Sequence, residues 1–157
     1  MRIIGIDPGL QHTGWGIIDL NGNRLTHVAN GVISTSSKKD IALRLKKISE
    51  GIKEQIELYS PKDAAIEEVF VNNNPRSSLK LGEARGVAIL SLAQMKLDVA
   101  QYTPNKVKKA VVGAGHAQKE QVQAMIKILL PRIEGKVLPD AADALAVAIC
   151  HAHHGRF

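Results

Sequence analysis

The amino-acid sequence predicts an α/β domain built on a mixed, five-stranded sheet with helices around it. The first part of the chain consists of short apolar segments joined by tight turns, which is typical of antiparallel strands. The remainder alternates helical and strand patterns, which is typical of parallel strands joined by helices. With 157 residues, of which 45% are apolar, the chain is long enough for one domain, residues 1–157, with its own hydrophobic core.

The three antiparallel strands are predicted from apolar runs and from the turn residues between them. Residues 2–7 form a short apolar run that closes at Pro8-Gly9, as a buried strand does before a turn. Residues 13–20 follow as a second strand, and the turn signal Asn21-Gly22-Asn23 leads into the third, residues 24–34. Because the connections are short, we expect an antiparallel meander.

The rest of the chain alternates helices with two further strands. Apolar residues recur at helical spacing between residues 41 and 56, so we expect a helix that ends before Ser60-Pro61. Residues 63–69 and 98–102 have the composition of strands. The other predicted helices cover residues 79–97, 105–112, 119–130 and 140 to about 153.

Positive charge is concentrated in one segment of the chain. The net charge is +6, with 21 Lys and Arg against 15 Asp and Glu. Residues 99–119 contain no acid and four lysines, Lys106, Lys108, Lys109 and Lys119. Such a segment attracts polyanions, nucleic acid first among them. An ordinary solubilising charge is the alternative interpretation.

Composition also indicates the compartment. No apolar run reaches the roughly 18–20 residues that cross a membrane, and the N-terminus lacks the pattern of a signal peptide. Cys150 is the single cysteine, so no disulfide can form within the chain, and its apolar surroundings place it in the core. We therefore expect a cytoplasmic protein with no membrane partner.

Carboxylates stand at the ends of two predicted strands. Asp7 ends the first strand, at the edge where open α/β sheets bind ligands. It can ligate a metal there or cap the turn. Glu67 and Glu68 interrupt the apolar fourth strand, and side-chain alternation places them on opposite faces. One of them can face solvent while the other needs a compensating charge, and spacing does not decide which.

Two further carboxylates begin the last predicted helix. Asp140 and Asp143 are three residues apart and therefore share a helix face. Stabilisation of the helix dipole is the simple explanation, but the alanine-rich sequence around them indicates a helix packed closely on the sheet. If the fold brings these acids together with the strand carboxylates, the set suits two Mg²⁺ ions that cleave a phosphodiester. His151 and His154 share a face near the C-terminus, where we expect an exposed polar surface rather than a zinc site.

Two apolar features have no obvious place in a small core. Phe70 follows the fourth strand and opens a polar loop, so it is either a core residue at a strand end or a wedge between bases. Residues 86–93 are apolar on nearly all sides of their helix. A helix of this kind packs against a second protomer or is buried completely within one chain, and Gly82 and Gly86 would allow close approach.

Five blocks of sequence, taken together and in this order, resemble the RuvC family of bacterial Holliday-junction resolvases. They are Gly5-Ile-Asp-Pro-Gly9 with Thr13-Gly14, Ala65-Ile-Glu67-Glu-Val-Phe70, Leu79-Lys-Leu-Gly-Glu-Ala-Arg-Gly-Val-Ala88, Val111-Val-Gly-Ala-Gly115 and Asp140-Ala-Ala-Asp-Ala-Leu-Ala146. The first block is common on its own, whereas the ordered set is specific and covers nearly the whole chain.

The resemblance implies an RNase H-like fold and a homodimer that binds four-way DNA junctions and nicks two strands symmetrically, in homologous recombination and DNA repair. It implies two Mg²⁺ ions per site, with Mn²⁺ as a substitute, and the RuvA–RuvB branch-migration complex as a partner. The family's four catalytic, metal-binding acids fall on Asp7, Glu67, Asp140 and Asp143. Its DNA-binding residues fall on Phe70, Lys108 and Lys119. By this resemblance Glu67, not Glu68, belongs to the site.

Three other functions are compatible with parts of the sequence. Actin-like and sugar-kinase ATPases share the Gly-Ile-Asp-x-Gly loop but need two such domains. A nuclease of the same fold that processes structured RNA, of the pre-ribosomal-RNA type, has similar size but lacks the block that begins at Asp140. A non-catalytic junction-binding module would have no reason to keep four carboxylates in a basic protein.

Overall fold

The computed structural model describes residues 1–69 and 73–155, and Phe70 lies outside the described residues. The described part folds into one five-stranded sheet with helices on both faces. The strands are β1 (Arg2–Asp7), β2 (His12–Asn21), β3 (Arg24–Ser34), β4 (Asp63–Glu67) and β5 (Val99–Tyr102). The helices are α1 (Ile41–Tyr59), α2 (Pro75–Gln94), α3 (Pro104–Val112), α4 (Lys119–Leu129) and α5 (Pro139–His154). Among these helices, none has the length and apolar character of a membrane span.

The strand order confirms the predicted mixed sheet. The order is β3-β2-β1-β4-β5. β1 pairs antiparallel with β2, which pairs antiparallel with β3. On its other edge β1 pairs parallel with β4, and β4 pairs parallel with β5. The carboxyl ends of β1 and β4 therefore meet at one edge of the sheet.

Helices cover both faces of the sheet, and a separate hydrophobic core lies between the helices and each face. α5 lies on β1 and β2, with α3 and α4 beside it, and this layer contains the buried side chains of Ile3, Ile18 and Leu145. α1 and α2 form the other layer over Ile4 and Ile6. Because side chains alternate along a strand, each strand contributes to both cores.

Gly5 and Gly14 allow α5 to lie directly on the sheet. A Cβ atom at Gly5 would overlap the carbonyl oxygen of Ala144, and one at Gly14 would overlap the carbonyl oxygen of Asp140. Any larger residue would push the helix away, so these glycines set the distance between α5 and strands β1 and β2. The close packing inferred from the alanine-rich sequence of α5 is confirmed.

Helix α2 begins four residues earlier than its apolar pattern predicts. The side chain of Asn74 accepts hydrogen bonds from the backbone N–H groups of Arg76 and Ser77, and a proline occupies the first turn. This cap starts the helix within a polar stretch that has the composition of a loop. The helix also ends three residues early, at Gln94, and the other boundary differences are one or two residues, with β4 ending at Glu67, β5 beginning at Val99 and α5 beginning at Pro139.

The structure decides one alternative about helix faces and corrects one expectation. Of the two alternatives for α2, complete burial within one chain is excluded, because Leu79 and Leu90 are 70% and 56% exposed. The expectation that His151 is exposed is wrong, because the residue is 5% exposed and its ring contacts Tyr102 of β5 and Asp63 of β4. His154 is exposed as expected, and Cys150 is buried in the core.

Candidate active site

Four carboxylates converge at the edge of the sheet where β1 and β4 end. Asp7 ends β1 and Glu67 ends β4, and these strands are parallel neighbours. Asp7 lies two residues after Gly5, and Glu67 lies two residues after Ala65, and both reference residues pack on the α5 side of the sheet. Because side chains alternate along a strand, Asp7 and Glu67 also project toward α5. Asp140 and Asp143 lie in the first turns of that helix. The topology thus joins three segments that are remote in sequence.

Three of the four acids are close enough to share an ion. One carboxylate oxygen each from Asp7, Asp140 and Asp143 lies within 4.8 Å of the other two. Glu67 is outside this trio but lines the adjacent cavity of about 190 Å³ together with Asp143, Lys108 and Lys119. The remaining walls of that cavity are Pro104, Val107, Val122 and Ala146.

Burial and mutual repulsion favour the protonated forms of Asp7 and Glu67 in the metal-free chain. Burial, followed by the charges of Asp143, Glu67 and Asp140, raises the pKa of Asp7 to about 8. Burial and the charge of Asp143 raise the pKa of Glu67 to about 7, against the opposing effect of Lys108 and a second lysine. Acids clustered in this way are stabilised in their charged form by a cation. Oxygen ligands of this type are those that Mg²⁺ and related hard cations prefer.

Lys119 forms part of this cluster. Its Nζ atom lies 3.2 Å from Oδ2 of Asp143, and the charge of Asp143 raises the pKa of Lys119. The position at the first residue of α4 gives no sign of this contact in the sequence, because it depends on how α4 packs on α5. In the metal-free chain Lys119 therefore neutralises an acid of the site, a contact beyond the DNA binding that the sequence predicts.

Two further residues support the strand ends, and no sequence pattern predicts the role of the second. The buried Thr13 hydroxyl donates to the Gly9 carbonyl oxygen at 2.6 Å and accepts from the Gly9 N–H at 3.3 Å, which fixes the turn after Asp7. Nε of Arg85 on α2 donates to the Glu67 carbonyl oxygen at 3.4 Å. Both contacts hold backbone next to a carboxylate of the site.

Comparison with known proteins identifies the family. The family described as crossover junction endodeoxyribonuclease RuvC matches residues 3–151. The chain belongs to the RuvC family. The RuvC protein of Rhizobium etli is 52% identical over 154 residues, covering 98% of this chain and 90% of the relative. That of Nitrobacter hamburgensis is 54% identical over the same shares of the two chains. The structure of T. thermophilus RuvC in complex with Holliday junction substrate matches with a TM-score of 0.90 at 32% identity, covering 97% of this chain and 93% of that one.

RuvC membership confirms the resemblance seen in the five sequence blocks and the RNase H-like class of the sheet. It makes the chain a member of a nuclease family and does not favour an RNA-processing nuclease or a non-catalytic module. Of the residues that the resemblance implied, the structure places the four acids, Lys108 and Lys119 around one edge of the sheet.

Proposed function

We propose that this chain is a Mg²⁺-dependent endonuclease that binds four-way DNA junctions as a homodimer and resolves them by symmetric nicks. Its context is homologous recombination and DNA repair. The observation that carries the proposal is the trio of Asp7, Asp140 and Asp143 in a chain of the RuvC family. The T. thermophilus relative was solved with a Holliday junction substrate, which supports the same substrate here.

The acids at the sheet edge are the catalytic residues of this proposal. Asp7, Asp140 and Asp143 supply ligand oxygens for divalent ions, and Glu67 supplies a fourth carboxylate from the adjoining cavity. When bound, two Mg²⁺ ions, or Mn²⁺ in their place, activate water and stabilise the leaving oxygen of a phosphodiester. The chain fixes these carboxylates on a strand pair and on a helix packed against it, so little rearrangement is needed to assemble the set.

Two lysines beside the acids bind the DNA backbone in this proposal. Lys108 lines the cavity that contains Glu67, and Lys119 reaches Asp143 from the first residue of α4. Both side chains can contact the phosphates that flank the scissile bond, where their charge attracts the polyanion. The ammonium group of Lys119 then exchanges its contact with Asp143 for a contact with DNA.

The second copy of the chain binds to the outer face of α2. Leu79, Gly82, Gly86 and Leu90 recur on this face at intervals of three and four residues, and a Cβ atom added at either glycine would meet nothing within 4 Å. The open glycines allow another helix to approach closely, and the exposed leucines supply apolar area. Symmetric cleavage of two strands needs two such sites, which a two-fold dimer provides.

The dimer is tested by Leu90→Glu, which places a charge at the centre of this face. We expect analytical ultracentrifugation to show a shift from dimer to monomer. Ile128→Glu is the matched control, because Ile128 is 68% exposed on α4, on the other side of the sheet. A dimer that survives Leu90→Glu would remove α2 from the interface.

The family resemblance also assigns Phe70 to stacking on bases at the crossover and the RuvA–RuvB complex as a partner. If Phe70 stacks, Phe70→Ala loses cleavage of intact junctions but recovers part of it on a junction already unpaired at its centre. Phe70→Trp is then tolerated better than Phe70→Leu. A lower melting temperature without this rescue would favour a core residue instead.

One cleavage assay tests the function as a whole. The chain is incubated with Mg²⁺ and a synthetic four-way junction, a linear duplex of the same sequence, or a structured RNA. We expect paired nicks in the junction and little cleavage of the other two substrates. Preferential cleavage of the RNA would favour the RNA-processing alternative, and junction binding without cleavage would favour a non-catalytic module.

A further inference from the structure

A buried polar cluster joins the last turns of α5 to the start of β4 and to Tyr102, the residue of β5 that pairs with Glu67. Nδ1 of His151 lies 2.7 Å from the hydroxyl oxygen of Tyr102, and Nε2 lies 3.0 Å from Oδ2 of Asp63. His151 and Tyr102 are 5% and 8% exposed. The cluster therefore connects the start of β4, the end of β5 and the last turns of α5 through polar contacts inside the core.

The chemistry of the three groups is complementary. Burial raises the pKa of Tyr102, so its hydroxyl keeps its proton and can donate it to Nδ1 of His151. The ring then carries its proton on Nε2, the nitrogen that faces the Asp63 carboxylate. The Tyr102 ring is also enclosed by the His154 ring, at a centroid distance of 6.1 Å, and by Nζ of Lys106, 5.2 Å from its centroid.

The same two elements carry both this cluster and part of the metal centre. β4 has Asp63 at its start and Glu67 at its end, and α5 has Asp143 near its start and His151 near its end. Asp63 and Glu67 are separated by about 13 Å of strand, and Asp143 and His151 by about 12 Å of helix. The contact between His151 and Asp63 thus lies at one end of β4 and α5, and the repulsion between the carboxylates lies at the other end.

The contact surface between the two ends is apolar. α5 meets the sheet through small groups, among them Ala144, Ala148 and Gly5. Dispersion between small apolar groups is non-directional, so it determines mainly how close the helix lies to the sheet. The hydrogen bond between Tyr102 and His151 depends steeply on distance and angle, and the buried cluster thus adds a directional contact to the apolar packing.

We propose that His151 is a positioning residue for the metal centre, because its contacts with Asp63 and Tyr102 fix α5 along β4 and β5. They thereby fix the position of Asp143 relative to Glu67. Without them, the start of α5 is held less firmly against the strand ends and the ligand set opens. This inference rests on the proposed function, since it takes the acids to be metal ligands.

The test is a titration of the junction-free, full-length chain with Mn²⁺, in which electron paramagnetic resonance reports the free ion. His151→Phe keeps an aromatic ring of similar size and removes both nitrogen atoms. We expect Mn²⁺ to bind about tenfold more weakly, within the range found for residues that orient metal ligands. His153→Phe is the control, because His153 is exposed on the same helix, and it should bind Mn²⁺ like the unchanged chain.

General destabilisation is separated from positioning by a second control and by conservative variants. Ile149→Ala removes buried side chain from the same helix and lowers the melting temperature without touching the polar cluster. We expect it to leave Mn²⁺ affinity unchanged. Asp63→Asn, which keeps a polar group of the same size close to Nε2, should lose less affinity than Asp63→Ala. If His151→Phe does not fold, Tyr102→Phe and Asp63→Ala decide, and both should weaken Mn²⁺ binding.

Several results would overturn the inference. Unchanged Mn²⁺ affinity in His151→Phe, or in both Tyr102→Phe and Asp63→Ala, would show that the cluster does not position the ligands. An equal loss of Mn²⁺ affinity in Ile149→Ala would show that the polar cluster acts only through the overall stability of the chain. These outcomes leave the proposed function standing as long as the unchanged chain binds Mn²⁺ and Asp143→Asn does not. Absence of Mn²⁺ binding by the unchanged chain would refute the metal centre and the positioning role together.

Discussion

The two faces of the sheet are packed by different means. On the α5 face, Gly5 and Gly14 bring helix backbone against strand backbone, and polar groups are buried at both ends of the helix. On the α1–α2 face, side chains such as Ile4, Ile48 and Leu92 form an ordinary aliphatic core. The α5 face therefore depends on exact distances, whereas the other face depends on apolar volume.

This difference separates the two tasks of the proposed enzyme. All four carboxylates and the positioning cluster lie on the α5 side of the sheet, and the exposed apolar face of α2 lies on the other. Substitutions on the α5 side should change chemistry and metal affinity with little effect on association. Substitutions on the outer face of α2 should do the reverse, and the predictions below test this separation.

The largest effect is expected from the acids themselves. Asp7→Asn, Glu67→Gln, Asp140→Asn and Asp143→Asn each remove a charge from the site while keeping side-chain volume. We expect each to reduce junction cleavage by about 10²–10³-fold or more, because stabilisation of charge in the transition state is lost. Junction binding, measured by gel shift in Ca²⁺, should persist, since removal of negative charge favours contact with phosphates.

The same variants should remain dimers in solution. Near-normal nicking by Glu67→Gln would exclude that residue from the site. Loss of junction binding in all four variants would show that the acids maintain the fold rather than the chemistry.

The next effect contrasts two glycines on opposite sides of the sheet. Gly5→Ala would force α5 away from β1, and we expect it to reduce the free energy of unfolding by about 3 kcal/mol and to weaken Mn²⁺ binding. Gly86→Ala on α2 meets open space and should raise helix stability by about 0.5–1 kcal/mol. The measurement is urea unfolding, with Gly86→Ala placed in the monomeric Leu90→Glu background.

Equal effects of the two glycine substitutions would contradict the contrast between the faces. An unchanged Mn²⁺ affinity in Gly5→Ala would show that the ligand set tolerates displacement of α5.

The sheet could be predicted from sequence because its signals are local, whereas the four acids were assigned by the family resemblance. Turn residues such as Pro8-Gly9 and Asn21-Gly22-Asn23 delimit the first strands, and the five blocks carry the resemblance. Glu67 and Glu68 could not be separated from spacing alone, because alternation gives their relative orientation but not the face that α5 covers. That face is decided by the packing of α5 on Gly5 and Gly14.

The polar cluster and the Lys119 contact could not be predicted for a related reason. His151 has no distinctive neighbours in sequence, and its partners, Asp63 and Tyr102, belong to strands that only the folded sheet brings beneath the last helix. Lys119 meets Asp143 only through the packing of α4 on α5. The start of α2 is not predicted, because Asn74 has the composition of a polar loop although its side chain caps the helix.

Stability without metal should depend on pH through the raised carboxyl pKa values. The folded chain holds protons on Asp7 and Glu67 up to pH values of about 8 and 7, whereas the unfolded chain releases them near pH 4. Between these limits the folded state binds more protons, so the free energy of unfolding falls as pH rises. At about 1.4 kcal/mol per pKa unit, the loss between pH 5 and pH 8 is several kcal/mol.

Calorimetry in EDTA at a series of pH values measures this dependence. The melting temperature should fall as pH rises from 5 to 8, and Asp7→Asn or an excess of Mg²⁺ should flatten the curve. Leu90→Glu, on the other face, should shift the curve without flattening it. A melting temperature that rises with pH over this range would contradict the raised pKa values.

The smallest effect is expected from the lysines beside the site. Lys108→Ala should weaken junction binding for all sequences and reduce the slope of log K against log salt by about 0.9, the value for one lost phosphate contact. Lys119→Ala should reduce the slope in the same way. It should also free Asp143 and therefore strengthen Mn²⁺ binding by the junction-free chain. Lys108→Ala should change Mn²⁺ binding less. Lys53→Ala on α1, on the opposite face, is the control and should leave both quantities unchanged.

Fluorescence anisotropy with a labelled junction between 50 and 200 mM salt gives the slopes. Equal slopes for the unchanged chain and the Lys108→Ala, Lys119→Ala double variant would place both lysines off the path of the DNA.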